Sequence, residues 1–131
     1  GEVGDPKQSK LLATEALAIE EELLPEDNEA LVVTLCVLGS AFGDLGDPMT
    51  QKLHHTRALA IAEAKFGPDN FRTGFAVGFL ADAIGELGDL DLEAEMQERS
   101  FRLLAAYFGP EHPVVAMKMT DLARAGGAFF F

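Results

Sequence analysis

The residues best suited to chemistry are few, and their spacing works against them. His54 and His55 are adjacent, and adjacent side chains on a helix point to different sides, whereas a metal-binding pair needs i, i+4 spacing. They read as an ordinary, partly exposed pair. His112 precedes Pro113 at a helix start and reads as a corner residue. Cys36, the single cysteine, lies in the apolar run from Ala30 to Leu38. A buried inert thiol fits that setting better than a nucleophile, and one cysteine builds no internal disulfide. Glu20, Glu21, Glu22, Glu26, Asp27 and Glu29 form an acidic cluster. Paired carboxylates do acid–base work only where a pocket drives their pKa values apart. The pattern shows no such pocket, so the cluster reads as a solvated face, with a basic partner as the second reading. The Walker phosphate loop, the Gly-x-Gly-x-x-Gly turn, the His-Glu-x-x-His helix and the Cys-x-x-Cys pair are all missing from the sequence. The sequence thus predicts no catalytic residue, no cofactor and no metal site.

Composition narrows the remaining classes. The 131 residues suit one domain or a short repeat array, and 48% hydrophobic residues are enough for a core. The net charge of −12 argues against nucleic acid and against an anionic membrane surface, both of which call for clustered Lys and Arg. The uncharged run from Ala30 to Gly43 is shorter than the ~20 residues of a membrane-spanning helix. No secretory signal pattern opens the chain, which begins with Gly1.

What must position any functional side chain is an internal repeat. Gly4-Asp5-Pro6 recurs as Gly46-Asp47-Pro48 and again as Gly88-Asp89, an offset of 42 residues each time (46 − 4 and 88 − 46). Ala16-Leu17-Ala18-Ile19 maps to Ala58-Leu59-Ala60-Ile61. Leu24-Pro25-Glu26-Asp27-Asn28 maps to Phe66-Gly67-Pro68-Asp69-Asn70 and to Phe108-Gly109-Pro110-Glu111-His112. The Gly-Asp-Pro corner supplies a helix stop, an N-cap and a first-turn proline. The Gly-Pro corner marks the other junction. Apolar residues between corners follow helical spacing, as in Leu31, Leu35, Leu38, Phe42 and Leu45. The spacing predicts helices over 6–24, 29–45, 48–66, 70–87, 90–108 and 112–125, and no strands. The expected organisation is one helical repeat domain over 1–125, with units at about 4–45, 46–87 and 88–125, then an apolar tail over 126–131.

These motifs resemble the tetratricopeptide repeat, in the 42-residue form of the kinesin light chains. The family's Leu-Gly/Ala pair, bulky residue and corner glycine appear as Leu38-Gly39, Phe42 and Gly46, and as Leu80-Ala81, Ile84 and Gly88. The second-helix signature appears as Arg57-Ala58-Leu59-Ala60-Ile61. The resemblance implies an all-α, right-handed solenoid of antiparallel helix pairs, about six helices in all. By the family's convention the chain opens on a second helix and closes on a first helix. Gly-Asp-Pro versions are similar to long arrays in some single-celled algae, which implies an algal source and a segment of a longer array.

The resemblance also implies a concave surface lined by the first helices. Position by position it includes Val33, Cys36, Ser40 and Asp44, then Phe75, Gly78, Asp82 and Glu86, then Met117, Thr120 and Arg124. Such a groove is moderately apolar and mildly acidic and suits a basic or apolar peptide. The family's backbone-clamping Asn is absent: Val37, Phe79 and Asp121 stand in its place. Gly74, Gly78 and Gly85 load one helix with residues that each cost about 1 kcal/mol against Ala, so close packing or a partner must offset them. Phe129, Phe130 and Phe131 end the chain and read either as a cap folded over the last helix or as a docking element. The leading expectation is a non-catalytic scaffold, an accessory subunit docked on a larger assembly through groove and tail. The second is an adaptor for short linear peptides, and an enzyme comes last. Partners are expected to be proteins, subunits of a large complex among them, with no nucleic acid and no transmembrane segment. The expected location is soluble and intracellular, cytoplasmic or organellar. The alternative is a plastid, peripheral to a membrane complex.

Overall fold

The computed structural model describes residues 4–126. Among them are six α-helices and no strand: α1 (Pro6–Leu23), α2 (Ala30–Asp44), α3 (Pro48–Phe66), α4 (Phe71–Glu86), α5 (Leu90–Phe108) and α6 (Pro113–Arg124). Each helix packs on the next, and α2 also touches α4. Ion pairs tie the other layer together: Arg57 of α3 to Glu21 of α1 at 2.9 Å, and Arg99 of α5 to Glu63 of α3 at 3.1 Å. The result is an all-α solenoid with α2, α4 and α6 on one side and α1, α3 and α5 on the other.

The corners explain why the helices start and stop where they do. Asp5, Asp47 and Asp89 are N-caps whose carboxylates accept from the backbone N–H groups of Lys7, Thr50 and Leu92. Gly46 and Gly88 turn the chain between helices at φ 85° and 94°, a region that side chains bearing a Cβ rarely adopt. At the alternate corners Asn70 and His112 cap α4 and α6 through side-chain bonds to the N–H groups of Arg72 and Val114. His112 is thus the corner residue its position suggested. Glu29 makes no side-chain cap on α2; Asn28 accepts from the N–H of Ala30 instead.

The core runs the length of the stack. Leu31 and Leu35 of α2, Ala58 and Ala62 of α3, Val77 of α4, Leu104 of α5 and Val115 of α6 are all sealed from solvent. The glycines of α4 are where its neighbours come closest. A Cβ on Gly74 would sit 2.9 Å from Cβ of Leu103, and one on Gly78 would sit 2.7 Å from Nζ of Lys118. Close helix packing, one of the two offsets expected for these glycines, is present.

Candidate functional site

Successive turns of α2 place Val33, Val37, Ser40 and Asp44 on one face, and α4 turns Phe75 and Phe79 toward them. Between the two helices lies an open groove of about 540 Å³, lined by these residues together with Cys36 and Arg72. Its walls are mostly apolar, and Val33 and Val37 are exposed in it. Burial pushes the Cys36 thiol up to about 12, so it is a neutral, inert wall element at physiological pH.

His55 joins the two walls. It is fully buried, with Nδ1 2.9 Å from the carbonyl oxygen of Phe79 and Nε2 3.1 Å from that of Cys36. This corrects the expectation of a partly exposed histidine pair. The ring enters because residue 39 is glycine: a Cβ there would lie 2.5 Å from it. His54 points elsewhere and stacks on Phe42 with ring centroids 5.5 Å apart. Burial holds both histidines below their ordinary pKa, in His55 against the pull of the two carbonyls. A neutral imidazole has one N–H, so it satisfies only one of those carbonyls at a time.

One repeat later the same slots are filled by polar chemistry. Gln97 stands where His55 stood, Ser100 where Ala58 stood, and Lys118 where Ala76 stood. Gln97 Nε2 donates to Asp82 Oδ1 at 2.9 Å, and its Oε1 accepts from Lys118 Nζ at 2.6 Å. Lys118 is buried and pairs with Asp121 at 3.1 Å; Arg124 pairs with the same carboxylate. Ser100 donates to the carbonyl of Gly74 at 2.7 Å. Above this network a pocket of about 330 Å³ is lined by Asp82, Glu86, Glu93, Asp121 and Arg124, with Gly85 and Gln97. Asp82 keeps an edge open to solvent, yet the helices around it withdraw enough water to raise its carboxyl above the usual range, against the pull of Lys118. Glu93 is raised as well, first by burial and then by the charge of Asp82.

The predicted surface residues therefore separate into two groups. Val33, Cys36, Ser40, Asp44 and Phe75 line the α2–α4 groove, while Asp82, Glu86 and Arg124 line the polar pocket. Of the positions where the clamp asparagine is missing, Val37 and Phe79 face the groove and Asp121 faces the pocket. Gly78 is buried beneath Lys118 and Ser100. Met117 and Thr120 are exposed on α6 and line neither space. Phe129, Phe130 and Phe131 lie outside the described residues. The acidic cluster of the first loop is exposed apart from half-buried Glu20, and two of its members hold cations: Glu21 on Arg57, and Asp27 on Lys65 at 3.1 Å. Among the described residues no His, Cys, Asp and Glu group together in a way that could hold a metal ion, and no helix is long and apolar enough to cross a membrane. Sequence reasoning missed His55, Gln97, Ser100 and Lys118. The 42-residue offset aligns His55 with Gln97, both buried, while the first unit carries Ala13 at that position.

A solenoid of antiparallel helix pairs with this corner pattern and inner groove has the tetratricopeptide-type fold, in its kinesin-light-chain-like form. Three solved structures are similar over nearly the whole chain. One contains the nearly identical TPR-like repeats of a Podosopora anserina protein assigned as a kinesin light chain, at a TM-score of 0.83 and 20% identity over 93% of this chain. A point variant of those repeats matches at 0.80 and 21% over 93%. BtubC (BKLC) from P. vanneervenii matches at 0.81 and 19% over 96%. The chain spans only 58%, 57% and 52% of their respective lengths. No family model and no curated protein matches the sequence.

Proposed function

We propose that the chain is a non-catalytic protein-interaction scaffold whose inner groove holds a segment of a partner protein. The observation that carries this is the open apolar groove between α2 and α4, with Val33 and Val37 left exposed beside Phe75 and Phe79. Apolar surface gathered in a concavity is worth roughly 25 cal/mol per Å² when a partner covers it. The acidic pocket beyond, together with the net charge of −12, favours a segment that follows its apolar anchor with Lys or Arg. The buried networks at His55 and Gln97 are internally paired and bridge helices, which suits a rigid support better than a reaction centre. A fixed accessory subunit is the finer form of this proposal: the same groove would serve a permanent partner with a larger interface.

Selection of displayed random peptides on the full chain tests it. The expected outcome is enrichment of apolar segments flanked by Lys or Arg, with binding lost in Val37→Asp and retained in Leu53→Asp on the outer face. Enriched peptides that bind Val37→Asp as well as the unaltered chain would overturn the groove as the site. A chain ending at Gly127 separates the contribution of the three terminal phenylalanines.

A further inference from the structure

Among the described residues, Arg72 is the one arginine that no carboxylate holds. Arg57 pairs with Glu21, Arg99 with Glu63, Arg102 with Glu98 and Arg124 with Asp121. Arg72 forms no such pair, although 22 Asp and Glu face 10 Lys and Arg in this chain. Its guanidinium lies instead over two rings, 5.1 Å from the centroid of Phe66 and 5.1 Å from that of Phe71. A guanidinium stacked in this way keeps its in-plane N–H donors free, and they match a carboxylate with two parallel hydrogen bonds.

The repeat does not call for this cation. The equivalent positions in the neighbouring units are Ala30 and Val114, and those of the Phe71 ring are Glu29 and Pro113. Neither the charge nor this stacking ring is needed to build a helix pair. Arg72 and Phe66 both line the groove between α2 and α4, at the end where α4 begins. Glu29 lines that end too and forms no ion pair among the described residues. The far end is negative: Asp44 lines it, and Asp82 and Glu86 line the pocket beyond. Val33, Val37, Phe75 and Phe79 lie between. The groove thus has a held cation at one end and carboxylates at the other.

We infer that Arg72 holds the carboxylate of an Asp or Glu side chain in the partner segment. The groove then reads a segment that is acidic at one end, apolar in the middle and basic at the other. This rests on the groove reading proposed above and adds its register. Asp82 stands about 15 Å beyond Arg72 along α4. An extended segment covers that span in about four or five residues. A segment that is basic at both ends sets like charge against Arg72 and is disfavoured.

Selection of displayed random peptides on the full chain, on Arg72→Glu and on Val37→Asp tests this. On the unaltered chain the expected motif has an acidic residue and a Lys or Arg about four or five positions apart, with apolar residues between. On Arg72→Glu the acidic position turns basic and the rest of the motif stays. One enriched peptide is then synthesised with both ends blocked. Its affinity falls about tenfold when its acidic residue becomes the neutral amide, and about tenfold in Arg72→Gln. The two changes together cost no more than either alone. Arg72 is exposed, and circular dichroism checks that its variants keep their helix content. A motif unchanged by Arg72→Glu but lost in Val37→Asp would overturn the role of Arg72 and leave the groove reading standing. A motif unchanged by both, or no enrichment on the unaltered chain, would overturn both. Bases at both ends of the motif, additive losses, or binding that needs a free terminal carboxylate would each overturn the inference.

Discussion

The junction of α2, α3 and α4 and the junction of α4, α5 and α6 are built on the same 42-residue plan, yet they solve the same packing problem differently. In the first, one aromatic side chain, His55, spans two backbone carbonyls, and the groove above it is apolar. In the second, Gln97 at the same position spans Asp82 and Lys118, and the space above it is lined by carboxylates. The difference shows that the second-helix residue at positions 55 and 97 is the strut between successive inner helices. Its chemistry goes with the character of the groove above it.

Breaking the polar strut should cost most. Lys118→Ala leaves Asp121 and Gln97 without their buried cation and should destabilise the fold by about 3 kcal/mol, read as a lowered urea midpoint at unchanged m-value. His55→Ala should follow at about 2–3 kcal/mol, from the cavity left by the buried ring and the loss of its bridge between α2 and α4. Gly39→Ala pushes a Cβ to 2.5 Å from the imidazole and should cost about 1–3 kcal/mol by overpacking. If Ala at position 39 is neutral, His55 is not held where it is described.

Acid sharpens the comparison with opposite signs. The histidines titrate below their ordinary value of 6.5 in the folded chain. Their contribution is therefore present above that pH and is lost as pH falls through the depressed folded values. Asp82 and Glu93 titrate above their ordinary values. Their ionisation opposes folding near neutrality, and that opposition is relieved as pH falls through their raised values. Hydrogen exchange between pH 7 and pH 5 should show α2 and α3 losing protection relative to α5 and α6. His55→Ala should reduce that difference. The smallest effect is at a corner: Asp47→Ala removes the α3 cap and should cost about 1 kcal/mol in thermal or urea unfolding.

Much of the scaffold was legible in the sequence because its punctuation is local. The Gly-Asp-Pro corners act through φ, a cap and a missing N–H, so predicted helix limits such as 48–66 and 90–108 coincide with α3 and α5. The groove-facing residues Val33, Cys36, Ser40, Asp44 and Phe75 came from the family resemblance, position by position, and not from periodicity, which picks out the buried stripe of Leu31, Leu35 and Leu38 instead. The struts were legible by neither route. His55 sits between polar His54 and Thr56, and nothing nearby says that it is sealed between two helices. The network of Gln97, Ser100 and Lys118 draws one side chain from each of several turns, so no single window contains it. Gly78 read as a lining residue because its partners, Lys118 and Ser100, come from α6 and α5.

The most direct test of the central claim is amide NMR of the full chain titrated with an apolar, Lys-flanked peptide recovered by selection. A scaffold that binds through its inner groove shifts Val33, Val37, Ser40, Phe75 and Phe79 first. The basic flank then moves Asp82 and Glu86, and α1 and α3 stay still on their outer faces. Shifts concentrated on the outer faces of α1, α3 and α5, with the groove silent, would contradict the account.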